Sequence, residues 1–135
     1  MISYKTGIRV RYGETDQMGI VYHANYVKYL EVGRIEWLRN LGVSYKEMEE
    51  NGIILPVVSV QLNFKKSATY DDVIQVITKL RQMPTVKIEF DYEIRGENDM
   101  LLADGYTKLA FINASTNRPM RCPKFLLDKL NSQSL

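Results

Sequence analysis

The chain has 135 residues, with 18 basic and 16 acidic side chains that leave a net charge of +2. This balance argues against a nucleic-acid-binding protein, and the length predicts one domain over residues 1–135. Because Cys122 is the only cysteine, and neither an apolar leader nor a run of 18 apolar residues occurs, we expect a cytoplasmic protein that spans no membrane.

The first predicted elements are a strand over about residues 4–12 and a loop over residues 13–23. From residue 24 to residue 41 apolar side chains recur at helical spacing, and Gly42 provides a C-terminal stop. These apolar groups lie almost all round the helix, so we expect little of it to face water. A second, shorter helix over residues 44–51 begins at Ser44, and Glu47 follows at the spacing of a capping box.

Beyond Gly52 the hydrophobic period changes from 3.6 to 2, which predicts strands. Apolar and polar residues alternate over residues 58–64, 74–80 and, most regularly, 86–94. A hairpin loop, another long strand and a short helix are predicted in turn over residues 96–99, 101–113 and 124–130. One long, mostly buried helix followed by antiparallel strands predicts an α+β domain in which the sheet curls around the helix.

The loop before the long helix contains the most informative residues of the chain. Asp16 precedes the only histidine, His23, by seven residues, and Gly19 lies between them. A carboxylate beside the main-chain N–H groups of a helix start suits attack on a carbonyl group, because these amides stabilise the oxygen that becomes negative. The structural alternative is a loop aspartate that only closes an Asx turn or caps the helix.

These residues also resemble a known family. Residues 16–26, DQMGIVYHANY, and residues 31–34, EVGR, resemble the hotdog-fold acyl-CoA thioesterases of the 4-hydroxybenzoyl-CoA thioesterase and Tol-Pal-associated type. Residues 56–60 and 68–73 also look like this family, so the resemblance extends over about residues 4–123. It implies a long central helix wrapped by a curved antiparallel sheet of five or six strands.

The resemblance implies hydrolysis of an acyl-CoA to a carboxylic acid and free CoA, with no metal and no organic cofactor. In this family the aspartate that matches Asp16 attacks the thioester carbonyl or activates water to do so. The main-chain N–H of His23 matches the donor that polarises the thioester oxygen, while its imidazole is an alternative contributor that orients Asp16 or binds substrate. Ordinary packing or turn formation is the alternative for the candidate substrate-binding residues Gly19, Tyr22, Tyr26 and Ser59.

Other charged residues are weaker candidates for the site. Five basic side chains are candidates to bind the CoA phosphates at a subunit edge: Lys65, Lys66, Arg118, Arg121 and Lys124. The alternative is that they are simply solvated surface charges. Glu31 is the alternative acid, because a second branch of hotdog thioesterases carries its carboxylate on the central helix. A buried or interfacial ion pair with Arg34 is the structural reading of Glu31. One histidine and one distant cysteine do not make a metal site.

The resemblance also implies dimers with active sites at the subunit interface, and often tetramers. Two other functions stay open. A hotdog dehydratase or hydratase uses a histidine with an acid, whereas here Asp16 comes first and Asn25 and Tyr26 follow His23, as in the thioesterases. A non-catalytic acyl-CoA-binding protein gains nothing from an anion beside the thioester. Neither the acyl group nor the carrier, CoA or acyl carrier protein, is identified by these residues.

Overall fold

The structure is a computed structural model that describes residues 2–133. Strand β1 (Ser3–Arg9) leads through a 3-10 turn and a loop to helix α1 (Asn25–Asn40) and the short helix α2 (Tyr45–Glu50). The elements that follow are β2 (Ile53–Ile54), β3 (Val57–Phe64), β4 (Val73–Leu80), β5 (Lys87–Arg95), β6 (Leu101–Ala110), β7 (Ile112–Asn113), β8 (Arg118–Pro119) and α3 (Lys124–Gln133). No helix within residues 2–133 is long and apolar enough to cross a bilayer.

Five strands form one antiparallel sheet in the order β1-β4-β5-β6-β3, so that β1 and β3 are its edges. The three short strands form a second sheet in the order β2-β7-β8. The predicted α+β hotdog architecture with a five-stranded sheet is therefore confirmed. The strand predicted over residues 101–113 is divided between the two sheets, because Phe111 donates to Val86 and accepts from Met120 instead of pairing within either ladder.

Helix α1 packs mainly over β1 and β4. Its buried residues are Tyr26, Tyr29, Leu30, Gly33, Trp37 and Leu38. A Cβ atom at Gly33 would lie 2.6 Å from Thr78 Oγ1 and 2.8 Å from Val76 Cγ1, so only glycine allows this close approach of helix and sheet. Each large apolar side chain buried here contributes about 1.5–3 kcal/mol to folding.

The predicted boundaries of α1 and α2 are confirmed to within one residue, whereas α3 continues three residues beyond the predicted end at residue 130. Gly42 has a φ of +83°, and the amide of Val43 bonds to Leu38 O, which closes the end of α1. The hydroxyl of Ser44 accepts a hydrogen bond from the amide of Glu47 at 3.3 Å, as expected for the cap of α2.

Two expectations about burial are wrong for a single subunit. Val27 and Val32 on α1 are 44% and 39% exposed, although the helix pattern predicted that little of it would face water. On β3, Val58, Val60 and Phe64 are also exposed, although period-2 alternation predicted one buried face. The reason is that α1 covers the β1–β4 half of the sheet, so the surface between α1 and the edge strand β3 has no cover within the subunit.

Candidate active site

Main-chain hydrogen bonds close the loop that contains Asp16. The amide of Asp16 donates to Ile20 O at 2.8 Å, and Thr15 pairs with Val21 in an isolated β-bridge. A second bridge joins Ile20 to Thr69, on the segment before β4. The predicted first strand stops earlier than residue 12, because the chain turns here into the 3-10 turn Tyr12–Glu14. Asp16 is thus held in a tight loop that is anchored to a neighbouring segment.

The carboxylate of Asp16 has one occupied oxygen and one free oxygen. Oδ1 accepts a hydrogen bond from the amide of Met18 at 2.8 Å, which is the Asx turn expected as the structural alternative. Gly19 closes the same turn with a φ of +81° and a bond from its amide to Asp16 O at 3.0 Å. Among residues 2–133 no group donates to Oδ2. The turn therefore orients the carboxylate and leaves one oxygen available for chemistry.

The start of α1 presents unpaired main-chain donors. The first turn is closed by bonds from the amide of Asn25 to Tyr22 O, 2.9 Å, and from the amide of Tyr26 to His23 O, 3.1 Å. The amides of His23 and Ala24 have no acceptor in the described part of the chain, and both residues are exposed. They lie at the positive end of the helix dipole. This end of α1 can therefore donate to an oxygen that becomes negative.

A cavity of about 240 Å³ adjoins the start of α1. Its walls are Ile20, Val21, His23, Tyr26, Phe64, Lys65, Lys66 and Ser67. The imidazole of His23 lies 4.5 Å from the ring of Tyr22 and 6.4 Å from that of Phe64, measured between ring centres. Four residues predicted for the site, His23, Tyr26, Lys65 and Lys66, therefore meet around one cavity.

The cavity has a fixed wall and a solvated mouth. The amides of Lys65 and Lys66 both bond to Leu102 O, at 2.8 and 3.0 Å, so the backbone of this wall is held on β6 while the ammonium groups stay in solvent. Tyr26 is buried, and burial raises the pKa of its hydroxyl. Tyr22, in contrast, is exposed and lies over the imidazole.

Ser59 lies away from this cavity within one subunit. It pairs with Lys108 on β6, while the adjacent pair, Val60 with Thr107, includes a fully buried side chain that faces α1. Because side chains alternate along a strand, Ser59 points to the opposite face of the sheet. It is not brought together with Asp16 in this subunit.

The predicted basic residues fall into two groups. The amide of Lys65 bonds to Leu102 O, near the start of β6. The segment that contains Arg121 is held at the other end of the sheet, where the amide of Cys122 bonds to Thr85 O. Strand β5 connects these ends over nine residues, or about 30 Å. Within one subunit, Lys65 and Lys66 therefore lie apart from the other three basic residues, Arg118, Arg121 and Lys124.

Glu31 lies eight residues after His23 on α1, about 12 Å along the helix. It is exposed, and with Arg34 and Tyr45 it lines a separate cavity of about 210 Å³. No ion pair joins Glu31 to Arg34 within residues 2–133. Arg34 instead donates to the hydroxyl of Tyr92 at 3.4 Å. The alternative acid is therefore not beside the Asp16 loop of its own subunit.

Sequence reasoning missed two residues of the site. Glu14 joins the loop to α1 through its main-chain carbonyl and its carboxylate. No spacing rule predicts this role from the sequence, where the only indication is that Glu14 lies two residues before Asp16. Phe64 was expected inside the core and instead borders the cavity, because β3 is an edge strand.

The described residues provide neither a metal site nor a reactive thiol. In the described residues no three side chains of histidine, cysteine, aspartate or glutamate group as a metal site. Cys122 is buried, and burial raises the pKa of its thiol to about 12, which keeps it protonated and a poor nucleophile.

Comparison with known proteins gives a consistent result. The family model described as the thioesterase-like superfamily matches residues 10–130. YneP of Bacillus subtilis is 43% identical over 90 residues, which span 67% of this chain and 65% of YneP. The acyl-CoA thioesterase YbgC of Haemophilus influenzae is 29% identical over 118 residues, 87% of this chain and 86% of YbgC. The crystal structure of a DHNA-CoA thioesterase from Staphylococcus aureus is 37% identical, has a TM-score of 0.91 and covers 99% of this chain and 90% of that chain.

Proposed function

The chain belongs to the thioesterase-like superfamily and is an acyl-CoA thioester hydrolase, and we propose that Asp16 and the amides at the start of α1 perform the reaction. One observation carries this proposal. Within residues 2–133, one oxygen of the Asp16 carboxylate accepts no hydrogen bond, and its loop is tied to a helix start with two amides that have no acceptor.

Asp16 acts in one of two ways, as a nucleophile on the thioester carbonyl or as a base that activates water. A carboxylate suits either role, since it is anionic at neutral pH and needs no activating base. In both routes the C–S bond breaks, a C–O bond forms, and water supplies the oxygen and the proton. The products are a carboxylic acid and the free thiol of CoA, and this chemistry needs neither a metal nor an organic cofactor.

The amides of His23 and Ala24 stabilise the negative oxygen of the transition state. They are preorganised, because the helix holds them and no group within residues 2–133 accepts a hydrogen bond from them. Loss of one such donor costs about 2.7–4 kcal/mol of transition-state stabilisation. The imidazole of His23 has a smaller role, as a wall of the acyl cavity, because its ring contacts are with Tyr22 and Phe64.

The cavity beside His23 receives the thioester, with Tyr26 and Phe64 as apolar walls, and the exposed ring of Tyr22 lies against the imidazole. Lys65 and Lys66 at its mouth bind the CoA phosphates in this proposal. Gly19 leaves open space around the turn, since a Cβ atom built there meets no atom within 4 Å. Ser59 and Arg121 join the site only if a second subunit supplies them.

A panel of thioesters tests this function. We expect release of free thiol, measured with a colour reagent, from at least one of acetyl-, benzoyl-, palmitoyl- and DHNA-CoA, the last because the Staphylococcus aureus relative is a DHNA-CoA thioesterase. A dehydratase, a hydratase or a binding protein releases no thiol from these compounds. Absence of thiol from the whole panel contradicts the proposal.

We propose that the protein works as a dimer and further as a tetramer, in the cytoplasm. Support for self-association comes from the free edge of β3 and from apolar side chains that only a second chain would cover: Val27, Val57, Val58, Val60 and Phe64. An uncovered apolar strand edge promotes pairing with another chain.

The roles of the backbone and the imidazole at His23 can be separated by His23→Gln. Glutamine keeps the main-chain amide, so we expect a loss of turnover of no more than about tenfold. The leaving thiolate has a pKa near 8.5 and needs little help from an acid. Turnover is measured between about pH 5.5 and 8.5. A loss on the order of a hundredfold, equal to that of an Asp16 variant, would assign proton transfer to the imidazole.

A further inference from the structure

Glu14 connects the Asp16 loop to helix α1 through its main-chain carbonyl. That oxygen accepts two hydrogen bonds, from the amide of Tyr22 at 2.9 Å and from Asn25 Nδ2 at 2.8 Å. Tyr22 immediately precedes His23, and Asn25 is the first residue of α1. One carbonyl, two residues before Asp16, is therefore bonded to both sides of the amides proposed to stabilise the oxyanion.

The side chain of Glu14 makes a second connection. Its Oε1 accepts from the amide of Arg11 at 2.8 Å and from the hydroxyl of Tyr29 at 2.9 Å. Tyr29 is only 2% exposed and lies one turn into α1, packed against the ring of Tyr26. Burial, and next the carboxylate of Glu14, raise the pKa of the Tyr29 hydroxyl, so it stays protonated and remains a donor.

These bonds complete a closed structure around the reacting groups. The loop amide of Asp16 bonds to Ile20, the carbonyl of Glu14 holds the chain that follows, and Tyr29 holds Glu14 from inside the fold. A displacement of about 1 Å between reacting groups can cost on the order of a hundredfold in rate. The distance from Asp16 to the amide of His23 therefore depends on Glu14 and Tyr29, which hold these hydrogen bonds together.

We propose that Glu14 and Tyr29 are positioning residues that set the distance between Asp16 and the amides at the start of α1, an inference that rests on the hydrolytic role proposed for Asp16. Neither residue lines the cavity beside His23. Glu14 acts as a hydrogen-bond acceptor, and its charge is not what the loop requires. The two therefore control turnover with little influence on substrate affinity.

The experiment compares Tyr29→Phe with Tyr106→Phe. Each variant removes one tyrosine hydroxyl that donates to a glutamate: Glu14 in the loop, and Glu89 on the face of the sheet away from α1. For Tyr29→Phe we expect kcat to fall about tenfold with KM within about twofold, since alignment is lost and the cavity is kept. Amide hydrogen exchange at Met18 should become about tenfold faster. Tyr106→Phe should leave kcat, KM and the exchange rate within about twofold.

A second pair of variants separates hydrogen bonding from charge. Glu14→Gln keeps an oxygen that accepts from Arg11 and Tyr29, so kcat should stay within about threefold, whereas Glu14→Ala should fall at least about tenfold. Equal kcat for Tyr29→Phe and Tyr106→Phe, or equal losses for Glu14→Gln and Glu14→Ala, would overturn the positioning role. If wild-type protein releases no thiol, the proposed function fails, and the exchange rates alone decide whether Tyr29 holds the loop.

Discussion

Asp16→Asn is expected to lower kcat at least about a hundredfold while KM stays within about threefold. The amide of asparagine keeps an oxygen that accepts the bond from Met18, so the Asx turn and the loop survive the change. What is lost is the negative charge, and with it the ability to attack a carbonyl or to take a proton from water. Loss of a nucleophile or general base typically costs a factor of 10²–10⁴. Steady-state kinetics on the best substrate of the panel measures both constants.

Asp72→Asn is a matched control for this variant. Asp72 is another loop aspartate, and its Oδ2 accepts from the amide and the hydroxyl of Thr69, so the same chemical change is made in a similar turn. We expect its kcat to stay within about twofold of wild type. Near-normal turnover of Asp16→Asn would instead direct attention to Glu31, and Glu31→Gln would then be the variant that loses activity.

Val60→Glu is expected to convert the protein into a 15.7 kDa monomer with at least tenfold lower kcat/KM. Val60 is 45% exposed in one subunit, because it lies on the edge strand β3, over which α1 does not extend. A charge there is harmless in an isolated subunit, but an interface would bury it at a cost on the order of several kcal/mol. Activity falls with assembly if a second subunit completes the site. Light scattering gives the mass, and the thiol assay gives the rate.

Val86→Glu makes the same change at a site of similar exposure, 41%, just before β5. This position is at the end of the sheet where Phe111 bonds to Val86, away from the Asp16 loop. We expect this control to keep the mass and the rate of wild type. A wild-type protein that is active as a stable 15.7 kDa monomer would show that the β3 edge is not an interface.

Local patterns predicted much of the fold correctly. Period-3.6 spacing located α1, Gly42 marked its end, and the strict alternation of β5 matches its buried residues Ile88, Phe90, Tyr92 and Ile94. These features depend on interactions within a few residues, so the sequence alone is sufficient to predict them. The family resemblance, carried by residues 16–26, is confirmed by the superfamily match over residues 10–130.

Other features depended on the order in which the strands meet. Alternation along β3 predicted a buried face, but β3 is an edge strand and Phe64 lines a cavity. Likewise, basic residues predicted as one group are divided, since Lys65 and Arg121 lie at opposite ends of the sheet. A period of 2 identifies a strand but carries no information about which strand or which end lies beside it.

The sequence by itself determined the three helices, the five long strands and the position of Asp16 in a loop before α1, because propensity, periodicity and capping act between near neighbours. The two-residue strands β2 and β8 have no such local pattern. Only the tertiary structure decided that one oxygen of Asp16 accepts no hydrogen bond from residues 2–133, that Lys65 and Lys66 share a cavity with His23, and that Tyr29 anchors Glu14. Some of those contacts join segments that other elements separate in the chain. Others depend on the direction of side chains, which is set by how α1 packs on the sheet. Their geometry follows from how the whole domain closes, which no local spacing specifies.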